Sequence, residues 1–177
     1  RCRDERVPEE TNRRIVDVIA DVNLAYSEHA RRWLKDAGCA PERTFVTGSP
    51  MAEVLSANLS SIDASDVLKK EGLEARDYFL LSAHREENID DEDNFPRLFS
   101  AVNALAEEYG KPVLYSCHPR SRKRLEETGF VLHPLVRTHE PMGFHDYNKL
   151  QSSAFCVVSD SGTLPEESSY FASIGRS

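Results

Sequence analysis

Apolar residues along the chain come in short runs, and three of these runs end in a polar segment rich in Ser, His, Arg and Gly. Tyr78 to Leu81 leads into Ser82-Ala83-His84-Arg85-Glu86-Glu87-Asn88, Pro112 to Tyr115 into Cys117-His118-Pro119-Arg120-Ser121, and Phe155 to Val158 into Ser159-Asp160-Ser161-Gly162-Thr163. Runs this short and this apolar suit parallel strands buried on both faces. Between them the spacing turns helical. Leu98, Val102, Leu105 and Ala106 behind Phe95-Pro96 predict a long helix that stops at Gly110. Further helices are predicted around residues 121–127, 143–152 and 165–171, with a strand at 131–136.

Upstream, Pro8 with Glu9 and Glu10 opens a predicted helix over residues 8–20, on which Ile15, Val18 and Ile19 recur at helical spacing. Residues 23–26 read as a strand, Ser27 as the cap of a helix over 28–37 ended by Gly38, 44–46 as a strand and 51–59 as a helix. Ser65 is expected to cap a short helix through Glu71. Strands alternating with helices in this way predict an α/β protein with a doubly wound, Rossmann-like parallel sheet. A composition break beginning at Asp63 divides the chain into an incomplete N-terminal piece, 1–62, and a βα domain, 63–177. The charged start at Arg1, without Met, and the end just past a helix lead us to expect a piece of a larger protein.

Ligands of open parallel sheets bind outside the carboxyl ends of the strands, and three such ends here carry candidate chemistry. Ser161, Gly162 and Thr163 open a helix, offering N–H groups, hydroxyls and a helix dipole to an anion; a diphosphate loop and an ordinary helix cap both fit. Glu166 and Glu167, one turn on, suit ribose hydroxyls or simple dipole complementation. His84 beside Arg85 pairs a titratable ring with a permanent cation, which fits phosphate binding and proton donation to a leaving group. His118 is a weaker parallel, and the run Arg120, Arg122, Lys123, Arg124 also reads as a solvated helix face. Phe144 and Tyr147, a helical turn apart, offer either a stacking surface for a base or core packing.

A net charge of −8 with both signs well mixed excludes the basic stripe that tracks nucleic acid. No apolar run approaches the roughly 18 residues that span a bilayer, so no membrane partner is expected. Four cysteines without CxxC spacing read as reduced thiols of a cytoplasmic protein. Nothing has the spacing of a zinc motif, and no metal is expected.

Taken in order, Arg6-Val7-Pro8-Glu9-Glu10-Thr11-Asn12-Arg13, Thr47-Gly48-Ser49-Pro50, the His84 segment and Asp160 to Glu167 resemble the non-hydrolysing UDP-N-acetylglucosamine 2-epimerases over nearly the whole chain. Pro141 to Leu150 is similar to a branch acting on UDP-2-acetamido-2,6-dideoxy-L-hexoses, on the route to UDP-N-acetyl-L-fucosamine. The resemblance implies part of a two-domain, glycosyltransferase-B-like architecture, a UDP-N-acetylhexosamine substrate, no cofactor and a homodimer. It implies that the C2 proton is removed while UDP leaves C1, after which both return with C2 inverted. Glu9 matches a catalytic acid/base carboxylate and His84 the histidine that assists UDP departure. Ser161, Gly162 and Thr163 match the phosphate loop, where the family often has a second glycine in place of Thr163. Glu167 matches a ribose-binding glutamate and Tyr147 an aromatic beside uracil, while Arg13, Arg85 and His118 complete the expected binding set. A UDP-sugar glycosyltransferase of the same architecture and a non-catalytic UDP-sugar-binding module are the alternatives.

Overall fold

The computed structural model describes residues 8–176, with the side chains of Pro8, Glu9, Glu86 and Glu87 outside the described set. The chain divides into two compact units, Arg1–Met51 and Ala52–Ser177, ahead of the composition break at 63.

The first unit runs α1 (Pro8–Ile19), β1 (Asn23–Ala25), α2 (Glu28–Asp36), a 3-10 turn (Pro41–Arg43) and β2 (Thr44–Val46). β1 and β2 are parallel, with Leu24 opposite Phe45. Ser27 caps α2 as expected, its hydroxyl accepting from the Ala30 N–H at 3.2 Å, a contribution of about 1 kcal/mol. The apolar stripe predicted on α1 is helical but uncovered: Val18 is 78% and Ile19 73% exposed. A sheet of two short strands has too little surface to bury it.

The second unit carries α3 (Met51–Ala64), α4 (Val67–Lys70), β3 (Phe79–Ser82), α5 (Glu86–Ile89), α6 (Asn94–Tyr109), β4 (Val113–Ser116), α7 (Pro119–Thr128), β5 (Val136–His139), α8 (Phe144–Ser153), β6 (Cys156–Ser159) and α9 (Leu164–Ser173). Its four strands lie in the order β5-β4-β3-β6, with every pairing parallel. β3 is buried on both faces. Phe79 and Leu81 point to a cluster with Phe95, Phe99, Val102 and Tyr115, and Leu80 to one with Tyr78, Leu114 and Leu150. On α6 the buried positions 95, 99, 102 and 106 repeat at helical spacing, and Gly110 ends the helix in the left-handed conformation at φ 60°. The Tyr78 hydroxyl donates to the Leu150 carbonyl at 2.5 Å, tying β3 to α8.

Two elements differ from expectation. The strand predicted at 131–136 lies at Val136–His139, and Val131 is 80% exposed. Pro134 has no N–H to give a ladder, so pairing with β4 starts only at Val136, opposite Val113, and continues through the polar Arg137 and Thr138 of an edge strand. Asp66, not Ser65, occupies the cap position of α4; the Ser65 hydroxyl accepts from the Val67 N–H at 3.3 Å and donates to Asp146 at 2.5 Å. The turn of helix α5 had no periodic signal to predict it.

Candidate functional site

The chain leaves β3 toward β4 and β5 and then crosses to the other side of β3 to make β6. That reversal is the point at which doubly wound sheets open a crevice for ligands. Ser82 and Ser159 are register partners, so the His84 segment and the Ser161 segment emerge from adjacent strands at the same level.

Asp160 joins them. Its Oδ2 accepts from the His84 N–H at 3.0 Å, the Arg85 N–H at 3.0 Å and the Asn88 side-chain amide at 2.9 Å. Its Oδ1 lies 3.1 Å from His84 Nδ1 and 3.2 Å from the His84 N–H. The Asp160 side chain is 12% exposed and that of His84 54% exposed, so the carboxylate sits inside the loop while much of the imidazole is open at the carboxyl end of β3. One layer down, the Tyr115 hydroxyl donates to the Ala83 carbonyl at 3.0 Å.

The phosphate-loop candidate is knitted by its own hydroxyls. The Ser161 N–H donates to Ser159 Oγ at 3.0 Å, and Ser161 Oγ lies 3.0 Å from Thr163 Oγ1. Thr163 precedes α9, where its carbonyl accepts from the N–H groups of Glu166 and Glu167. A Cβ added at Gly162 would meet no atom within 4 Å, which marks an open approach to the backbone.

Tyr147 is half-buried against the second core cluster. Burial raises its phenol pKa, opposed by a hydrogen bond with Ser82 and reinforced by the charges of Glu167 and Asp160. Its hydroxyl therefore stands at the carboxyl end of β3, within electrostatic reach of both acids. Phe144, 41% exposed, packs edge-on to His145.

His118 stands at the carboxyl end of β4 as the N-cap of α7, its Nδ1 accepting from the Arg120 N–H at 3.3 Å. The basic run beyond it pairs locally: Arg120 with Asp90 at 2.5 Å, Arg122 with Glu140 at 3.5 Å and Lys123 with Glu127 at 3.5 Å. Burial pushes the Cys117 thiol up despite hydrogen bonds with Tyr115 and Arg122, an inert environment for a cysteine. Cys39, Cys117 and Cys156 are free thiols, and Cys2 lies outside the described residues. Among the described residues no three His, Cys, Asp or Glu side chains cluster as a metal site, and no helix is long and apolar enough to cross a membrane.

Residues 1–174 match the family model of UDP-N-acetylglucosamine 2-epimerase. The chain belongs to this family. A UDP-N-acetylglucosamine 2-epimerase structure from Rickettsia bellii is 42% identical and superposes with a TM-score of 0.79 over 96% of this chain and 45% of its own. The Methanocaldococcus jannaschii enzyme, solved in complex with UDP-GlcNAc and UDP, is 28% identical with a TM-score of 0.87 over 97% of this chain and 49% of its own. The curated UDP-N-acetylglucosamine 2-epimerase of Methanococcus maripaludis is 29% identical over 171 residues, 93% of this chain and 47% of that protein. The chain thus spans about half the length of the relatives it matches. Its parallel α/β fold is the corresponding part of their glycosyltransferase-B-like architecture.

In this member of the family, His84, Arg85, Tyr147, Ser161, Gly162, Thr163 and Glu167 gather around the carboxyl ends of β3 and β6, while His118 stands at the end of β4. Glu9 and Arg13 lie on α1 of the first unit; the Arg13 side chain is exposed and the Glu9 side chain lies outside the described set. Glu10, beside Glu9, is 2% exposed and accepts from Arg14 Nε at 3.0 Å. Asp160, Asn88 and Ser82 had been given no role by their residue types alone. The available signal is a carboxylate one residue past a strand, with a His-Arg pair beginning two residues past another strand end.

Proposed function

We propose that this chain is the UDP-binding part of an enzyme that inverts C2 of a UDP-N-acetylhexosamine, with residues 63–177 holding the nucleotide. The supporting observation is the juxtaposition at the carboxyl ends of β3 and β6, where Asp160 binds the His84 and Arg85 N–H groups and is followed by an open, glycine-containing turn at the start of α9. An anion there meets a cation, a ring able to donate a proton and a helix dipole. Tyr147, which interacts with Ser82 and with the charge of Glu167, is proposed with Glu167 to take the uridine.

In this reading a carboxylate, Glu9, takes the C2 proton as the C1–O bond breaks, leaving a C1–C2 double bond and UDP. The charge that collects on the departing diphosphate is met by Arg85, the loop N–H groups and a proton from His84. Re-addition of UDP at C1 and of a proton at the opposite face of C2 completes the inversion. Arg13 and His118 belong to the proposed binding set, and the intact enzyme is proposed to be a cytoplasmic homodimer.

The test is turnover in D2O with a panel comprising UDP-GlcNAc and UDP-2-acetamido-2,6-dideoxy-L-hexoses. Deuterium at C2 of recovered substrate and product supports epimerisation and names the branch. Transfer to an acceptor without C2 exchange would make the protein a glycosyltransferase; tight UDP-sugar binding without either would make it a binding module.

A further inference from the structure

The two oxygens of Asp160 share the His84 N–H, at 3.0 Å from Oδ2 and 3.2 Å from Oδ1, and otherwise have separate jobs. Three donors from the β3–α5 loop converge on Oδ2: the backbone N–H groups of His84 and Arg85 and the side-chain amide of Asn88. Oδ1 faces the imidazole, 3.1 Å from Nδ1. A carboxylate has no proton to give, so the hydrogen of that contact belongs to His84, on Nδ1. The nitrogen that carries the proton is set by the partner of the other, and a buried carboxylate at Nδ1 leaves Nε2 to face the ligand.

We infer that Asp160 is the positioning residue of this site: through Oδ2 it pins the β3–α5 loop to the start of the phosphate loop, and through Oδ1 it holds His84 with its proton on Nδ1 and Nε2 turned to the ligand. The imidazolium, its Nδ1–H held by Asp160, gives its Nε2 proton to the departing diphosphate and, left neutral with the lone pair on Nε2, takes that proton back when UDP re-adds. The consequence for turnover rests on the epimerase reading; the assignment of the tautomer does not.

Asp160→Asn separates the two jobs. With the amide oxygen in the place of Oδ2 the three loop bonds remain, while the amide NH2 now donates to Nδ1 and moves the ring proton to Nε2. Long-range 1H–15N correlation of histidine-labelled protein at about pH 8, where an ordinary imidazole is neutral, reads the tautomer directly. His84 is identified by the signals lost in His84→Gln. The expected result is an Nδ1–H ring in the unmodified protein and an Nε2–H ring in Asp160→Asn. In the C2 exchange assay the same variant should lose on the order of 10²-fold in kcat with little change in KM, as for a misplaced general acid.

An Nε2–H ring in the unmodified protein, a tautomer mixture like that of free imidazole, or an unchanged tautomer in a folded Asp160→Asn would overturn the inference. If that variant does not fold, the spectrum of the unmodified protein decides. Absence of C2 exchange in the unmodified protein would sink the epimerase reading while leaving the tautomer measurement to judge Asp160.

Discussion

Tyr115 reaches from β4 to donate its hydroxyl to the carbonyl of Ala83 at 3.0 Å, one residue before His84. The bond closes the loop from beneath, and both partners are buried, at 0% and 3% exposure. Tyr115→Phe leaves that carbonyl without its donor and should cost about 1–3 kcal/mol of stability, read as a lower urea midpoint at unchanged slope.

Alkali should unfold the second unit. Burial pushes the phenols of Tyr78 and Tyr115 far up, and raises that of Tyr147, so the folded state keeps protons that the unfolded chain gives away. Each tyrosine therefore supports the fold fully below the unfolded value of about 10, and its support falls as pH rises beyond that toward the folded values. The expected outcome is a melting temperature that falls steeply above about pH 10 and falls less in Tyr147→Phe.

Core and surface apolar residues should part company. Phe99 is fully buried between Phe95 and Tyr115, with ring centroids at 4.8 and 5.4 Å, and Phe99→Ala should cost about 3–5 kcal/mol. Val18 on α1 is 78% exposed, and Val18→Ser should change stability by less than about 0.5 kcal/mol. Chemical denaturation of the two variants checks both.

Gly162 tests the phosphate loop without disturbing its surroundings. Its missing Cβ faces open space, so Gly162→Leu should leave the melting temperature nearly unchanged. A side chain in the anion's path should nevertheless abolish calorimetric binding of UDP, as should Ser161→Trp. Binding retained at full affinity in both would move the diphosphate elsewhere.

The elements whose signal is local were legible in the sequence. β3 and β4 are apolar runs and Ser27 caps its helix, while α6 buries Val102 and Ala106 of the expected stripe together with Phe95 and Phe99, leaving Leu98 and Leu105 only partly buried. β5 was displaced because its strand character comes from pairing with β4 and not from its own residues, Arg137-Thr138-His139. The stripe on α1 predicted the helix correctly but not its exposure, since burial depends on what packs against it. His84 and Ser161 stand out at strand ends, and the pairing of Ser82 with Ser159 brings their segments side by side. The role of Asp160 could not be read, because it depends on β6 lying beside β3 and not beyond β5, a choice of strand order that leaves no mark on residue spacing.

The clamp between His84 and Asp160 spans 76 residues of sequence. A ribosome adding about 5–20 residues per second takes roughly 4–15 s to cover that distance. For that interval β3 and its loop exist without the carboxylate that shapes them, and the early sheet has an unfilled edge where β6 will lie. The proposed nucleotide site is therefore complete only once β6 has been made and paired with β3, so in that reading ligand capture reports the docking of β6 rather than the formation of β3.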